Sequence, residues 1–130
     1  MAYEELLLSN QLCFLVYRLD REINARYRPL LAELGLTYPQ YLVMMVLWET
    51  DGITVNEISE KLILNTNTIT PLLKRMESQE LLTRQRSTQD ERKVMIYLSP
   101  KGQEMEKDAA QIPANLLKKL EEKGAQINRE

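Results

Sequence analysis

Three helix-start signals fall between residues 37 and 68, and their spacing leaves little freedom in how the chain folds. Thr37-Tyr38-Pro39-Gln40 and Thr54-Val55-Asn56-Glu57 each place a hydroxyl three residues before a Gln or Glu. In that pattern, side chain and backbone satisfy each other's free groups at a helix N-terminus. Asn65-Thr66-Asn67-Thr68 is a third cluster of N-cap residues. The first signal opens an apolar helix through Trp48, closed by Asp51-Gly52. The second opens a short helix with Ile58 and Leu62 on its inner face. The third opens a helix with Ile69, Leu72, Leu73 and Met76 apolar, running to about Gln79. Pro71 fits that helix only in its first turn.

Leu81 to Arg86, a polar turn over Ser87 to Glu91, and Val94-Met95-Ile96-Tyr97-Leu98 follow. Val94, Ile96 and Leu98 alternate with Met95 and Tyr97, so the second segment reads as a strand and the two as a hairpin. Ser99-Pro100 opens a last helix, which Pro113 should kink or break. Helix–turn–helix plus hairpin predicts a mainly α fold with a small β-hairpin, a winged helix–turn–helix. Upstream, Leu8, Leu12, Leu15, Leu19 and Ile23 recur at helical spacing over Glu4 to Arg28, a stretch without Gly or Pro. Leu7, Phe14 and Val16 widen the apolar surface until burial against a second subunit is the natural reading. Pro29 sits where a new short helix could begin, ending at Gly35.

Composition narrows the chemistry. Among 130 residues there is no His and one Cys, which excludes His-based triads, an internal disulfide and Cys- or His-cluster metal sites. No cofactor is implied. The longest apolar run, Tyr41 to Trp48, is far short of a membrane span, and Glu4 and Glu5 stand where a signal peptide needs positive charge, so a cytoplasmic location is expected. Charge is uneven: residues 1–73 carry five basic and nine acidic side chains, whereas residues 74–100 carry six basic and four acidic. The basic segment coincides with the end of the third helix and the hairpin. On charge alone a solvated hairpin is the plainer reading of that excess, with a phosphate-binding surface as the functional one.

Longer motifs carry a resemblance. Asp90-Glu91-Arg92-Lys93-Val94, continuing through Ile96-Tyr97-Leu98-Ser99-Pro100-Lys101-Gly102, resembles the wing of MarR-type winged-helix regulators. Asn10-Gln11-Leu12-Cys13-Phe14-Leu15, Leu36-Thr37-Tyr38-Pro39-Gln40-Tyr41 and Thr68-Ile69-Thr70-Pro71-Leu72-Leu73-Lys74-Arg75-Met76-Glu77 are similar to the OhrR branch, the organic-hydroperoxide-sensing repressors. Where that branch opens its recognition helix with Asp-Ser-Gly-Thr, this chain has Asn65-Thr66-Asn67-Thr68. The resemblance implies one protomer over 1–130, with dimerisation helices at 4–36 and 100–130 and a DNA-binding lobe at 37–99. It also implies a further C-terminal helix completing the dimer interface. The implied partners are a second copy, double-stranded palindromic operator DNA and an organic hydroperoxide as signal, with no membrane.

In such a fold the second helix of the helix–turn–helix enters the major groove. Thr66, Asn67, Thr68, Thr70 and Pro71 lie in its first part; Asn suits adenine and the Thr methyl suits thymine. Capping alone would explain Asn65 to Thr68 equally well. Lys74, Arg75, Arg84 and Arg86 suit phosphates. Arg92 suits a narrow minor groove, or a salt bridge to Asp90 that braces the wing. About six phosphates met per dimer give a log–log salt slope of roughly −5.

A lone Cys is most often a small hydrophobe. In a helix starting near Glu4, Cys13 lies roughly two turns in, past the reach of the dipole, so a sensor thiolate needs other donors. The resemblance assigns these to Tyr27 and Tyr38. Cys13 and Tyr27 on one helix are roughly 21 Å apart, so contact between them demands an antiparallel helix from a second protomer. With no second Cys, an oxidised Cys13 should end as a mixed disulfide with a low-molecular-weight thiol, or over-oxidise. A repressor released by a small aromatic ligand, with Cys13 incidental, is the alternative. A winged-helix adaptor without DNA is a further reading. No His, Arg or resolving Cys adjoins Cys13 to turn over peroxide, so an enzyme is not expected.

Overall fold

A computed structural model of the protein describes residues 3–8 and 11–129, with the backbone alone for 119, 120 and 123–129. Asn10 and Glu130 lie outside the described residues. After a short 3₁₀ turn at Glu4–Leu6 come helix α1 (Leu12–Ala32) and helix α2 (Tyr38–Glu49). Strand β1 (Ile53–Thr54), helix α3 (Val55–Leu62) and helix α4 (Thr66–Ser78) follow. Strands β2 (Leu82–Arg86) and β3 (Val94–Leu98) and helices α5 (Pro100–Ala109) and α6 (Ile112–Arg129) complete the chain.

Both capping boxes are present. The Thr37 hydroxyl accepts the Gln40 N–H while the Gln40 side chain accepts the Thr37 N–H, and Thr54 and Glu57 repeat the arrangement. The N-terminal helix differs from its sequence reading at both ends. It starts at Leu12 rather than near Glu4, because Leu7 is extended (φ −63°, ψ 134°) and Gln11 is the N-cap. It also runs through Pro29 to Ala32, so no separate short helix begins at Pro29. Gly35, at φ +71°, ends it: its N–H bonds to the Ala32 carbonyl and the Leu36 N–H to the Leu31 carbonyl, a Schellman-type closure. At the far end Pro113 lies in the first turn of α6, and the break between α5 and α6 falls at residues 110 and 111.

The sheet has three antiparallel strands in the order β1-β3-β2, one more than the hairpin read from the sequence. Ile53 pairs with Ile96, and Leu82 through Arg86 pair with Leu98 through Val94. A two-residue strand has no periodicity of its own, which is why Ile53-Thr54 reads only as a helix entry. The core joins Val43, Met44 and Leu47 of α2 with Ile58, Ile69, Leu73, Met76, Leu82 and Ile96. Trp48 Nε1 donates to the Gly102 carbonyl (2.9 Å), tying α2 to α5. A Cβ at Gly102 would run into the Leu81 carbonyl, so only glycine lets α5 approach the entry to β2. No described helix is long and apolar enough to cross a membrane.

Candidate nucleic-acid interface and thiol site

Helix α4 buries Ile69, Leu72, Leu73 and Met76. At 3.6 residues per turn this leaves Asn67, Pro71 and Lys74 on the opposite face, with Thr68 and Arg75 beside them, all exposed. The N-cap cluster divides by role. Asn65 caps the helix, its Oδ1 accepting the Asn67 N–H (2.8 Å). Thr66, Asn67 and Thr68 project from the first turn with exposed side chains, and Thr70 is half-buried. Pro71 sits in the second turn, not the first. It removes the donor that would pair the Asn67 carbonyl, and both residues lie on the solvent-facing side.

The wing carries the basic residues at different depths. Arg84 is turned inward: its Nε lies 3.7 Å from Glu77 Oε1, its side chain is only 25% exposed, and its backbone N–H donates to Glu77 Oε2 (2.9 Å). The backbone bond ties β2 to α4, and the half-buried Arg84 side chain lines the same cleft as Thr66, Thr70 and Arg92. Arg86 is exposed and donates from Nη1 to the Glu91 carbonyl (3.0 Å). The Arg92 side chain is 91% exposed, yet its N–H and Nε both donate to Asp90 Oδ1 (3.1 and 3.2 Å). Those bonds, with Lys93 nearby, hold the Asp90 carboxyl below its ordinary range. Arg92 is thus oriented by Asp90 without being withdrawn from solvent. A cleft of about 540 Å³ lies between the wing and the N-terminal ends of α3 and α4, lined by Asn56, Glu57, Thr66, Thr70, Arg84 and Arg92 among others.

Cys13 is exposed and is the second residue of α1. The later helix start overturns the two-turn distance read from the sequence, and Cys13 instead sits among first-turn N–H groups, where a helix dipole favours negative charge. Tyr27 lies fourteen residues further along the same unbroken helix, so within one chain the two stay apart. Tyr27 and Tyr38 do come together, with ring centroids 5.1 Å apart. Tyr41 stands 5.8 Å from Tyr27, and Trp48 packs edge-on to Tyr41 at 6.5 Å. The sequence reading did not single out Tyr41 as part of this cluster, although Tyr38, Tyr41, Met45 and Trp48 recur at spacings of three and four. Burial, with Tyr38 alongside, pushes the Tyr27 phenol above its ordinary pKa; burial and its two tyrosine neighbours do the same to Tyr41. A cavity of about 590 Å³ adjoins the pair between α1 and α2, lined by Arg21, Asn24, Arg28, Leu31, Thr37 and Tyr38 among others.

A winged helix–turn–helix with an exposed polar face on its second helix is a DNA-binding module. The family model for the transcriptional regulator SarA/Rot matches residues 25–109. The chain is 47% identical over 115 residues to the organic hydroperoxide resistance transcriptional regulator of Bacillus subtilis, covering 88% of this chain and 78% of that one. It is 50% identical over 95 residues to the HTH-type transcriptional regulator TtmR of Methylorubrum extorquens, spanning 73% of this chain but about half (49%) of that relative. Among solved structures it is similar to reduced AbfR bound to DNA (33% identity, TM-score 0.78, 98% of this chain and 100% of that one). It is similar also to disulfide-formed AbfR (36% identity, TM-score 0.74, 94% and 90%). The chain belongs to the MarR-type winged-helix transcriptional regulators, on the branch of the organic hydroperoxide regulators. The Bacillus subtilis and Methylorubrum extorquens relatives are named as regulators of transcription.

Proposed function

We propose that the chain is a cytoplasmic, homodimeric repressor that binds palindromic operator DNA and is released when an organic hydroperoxide oxidises Cys13. The observation that carries this reading is the placement of Cys13 and Tyr27 fourteen residues apart on one helix, with Tyr38 of α2 packed against Tyr27. Two copies of α1 packed antiparallel through Leu12, Leu15, Val16 and Leu19 set each thiol against the partner's phenols, at both ends of the interface. Their hydroxyls then hold the thiolate. Attack of the sulfur on the peroxide oxygen breaks the O–O bond, releases an alcohol and leaves a sulfenic acid. A low-molecular-weight thiol condenses with that acid, losing water to give a mixed disulfide. The added bulk separates phenols from sulfur and moves the two recognition helices off their spacing of about 34 Å. Thr66, Asn67, Thr68 and Thr70 meet base edges, with Pro71 against a thymine methyl. Lys74, Arg75, Arg84 and Arg86 meet phosphates, and Arg92 enters the minor groove.

Cys13→Ser tests this. In a gel shift on the DNA upstream of its own gene, the variant should bind as the parent does and stay bound when cumene hydroperoxide is added. Release of the variant at the same peroxide concentration assigns the sensor elsewhere. A second reading, release by a small aromatic acid, is favoured by the cavity that places Arg21 and Arg28 near Tyr38. Thermal protection by such an acid, together with indifference to peroxide, would select it.

A further inference from the structure

Gln40 is the one buried polar side chain among the described residues, 5% exposed, and it works at both ends of its amide. Its Oε1 accepts the Thr37 N–H (3.1 Å), closing the α2 capping box around Tyr38. Its Nε2 donates to Gln79 Oε1 (3.1 Å). Gln79 is where the recognition helix ends: its N–H bonds to the Arg75 carbonyl (3.0 Å), and its own carbonyl receives Lys101 Nζ (3.0 Å). Glu80 follows in the left-handed region (φ 63°), and the chain turns into β2. One amide thus spans from the first turn of α2, beside the tyrosine pair, to the hinge between recognition helix and wing. An amide buried this far is costly to leave unpaired, so the two ends it joins move together or the bond is lost.

We infer that Gln40 is a positioning residue for operator binding, setting through Gln79 where the C-terminal end of α4 lies relative to the Tyr27–Tyr38 pair. A displacement of Tyr38 is then delivered to the recognition helix without passing through the apolar core. This inference rests on operator binding and on the local geometry, not on the oxidation of Cys13.

A double-mutant cycle of Tyr38→Ala and Gln79→Ala tests it, because Gln79 is exposed and its substitution leaves the α2 cap in place. Amide hydrogen exchange over residues 75–82 is read on the DNA-free protein. Affinity is read with a fluorescein-labelled duplex of the DNA upstream of the protein's own gene. Tyr38→Ala should speed exchange over that segment and weaken binding, and both effects should shrink by about fivefold or more when Gln79→Ala is already present. Gln79→Glu, which keeps an acceptor for the Gln40 amide, should behave as the parent. Effects that add to within about twofold overturn the inference. So does an unchanged exchange rate in Tyr38→Ala, or a Gln79→Glu variant as defective as Gln79→Ala. Exchange is measured without peroxide, so a failure here is separate from a failure of the Cys13→Ser comparison.

Discussion

Leu31 and Leu19 share one helix, yet Leu31 is 1% exposed and Leu19 is 59% exposed. From Tyr27 onward α1 belongs to the lobe: Leu30 and Leu31 are in the core, and Tyr27 rests on Tyr38 and Tyr41. Over residues 12–26 no residue is fully buried within its own chain, although Leu12, Leu15, Val16, Leu19 and Ile23 are apolar and exposed. The lobe is closed by contacts a single chain supplies. The arm carries apolar area that its own chain leaves exposed and that a second molecule covers in the proposed dimer, which makes stability and assembly separable along the length of α1.

The sharpest test of that division is to cut into each half. Leu73→Ala, at a fully buried site of α4, should lower unfolding stability by about 2–5 kcal/mol. Urea denaturation at high protein concentration checks this. Leu15→Ser with Leu19→Ser should instead cost about 3 kcal/mol or more of association, two aliphatic anchors at about 1.5–3 kcal/mol each. Sedimentation should show a monomer with an intact lobe. An unaltered association state would remove the arm from the interface. Thr54→Ala, which deletes one side of a capping box, should cost about 1 kcal/mol, measured in the same urea experiment.

Ile63→Gly should act in the opposite direction. Ile63 ends α3 in the left-handed region (φ 54°) and is 91% exposed, so a β-branched residue pays strain there and gains no packing. Glycine should stabilise the lobe by about 0.5–1 kcal/mol, net of the extra freedom it gives the unfolded chain. The smallest effect concerns pH. Tyr27 and Tyr41 have pKa values raised above 10.0 in the folded protein. Their contribution is therefore fully present below pH 10 and is lost as pH rises through their folded values. Absorbance at 295 nm should show these two phenols ionising above the ordinary tyrosine range. Ionisation of Tyr27 and Tyr41 within the ordinary range would place them in solvent.

Much of the lobe was legible because its signals are local. Thr37 with Gln40 and Thr54 with Glu57 declare two helix starts in four residues each, and Val94, Ile96 and Leu98 declare a strand by alternation. What escaped the sequence depends on partners distant in the chain. Ile53-Thr54 becomes a strand only because Ile96 and Met95 lie beside it. Arg84 and Arg86 read alike as basic residues, but Arg84 meets Glu77 on α4 and Arg86 does not. Pro29 and Pro71 were read as helix-start residues, yet both sit inside helices on exposed faces. Cys13 was legible as a residue and not as a position, since nothing local announced that the helix begins at Leu12.

The chain has a single tryptophan, and it is the one packed against Tyr41 and bonded to the Gly102 carbonyl. Its emission therefore comes from one environment, joined through Tyr41 to the aromatic pair and directly on the seam between α2 and α5. Any rearrangement of that seam changes indole quenching and solvation, so the protein carries its own optical readout and needs no attached dye.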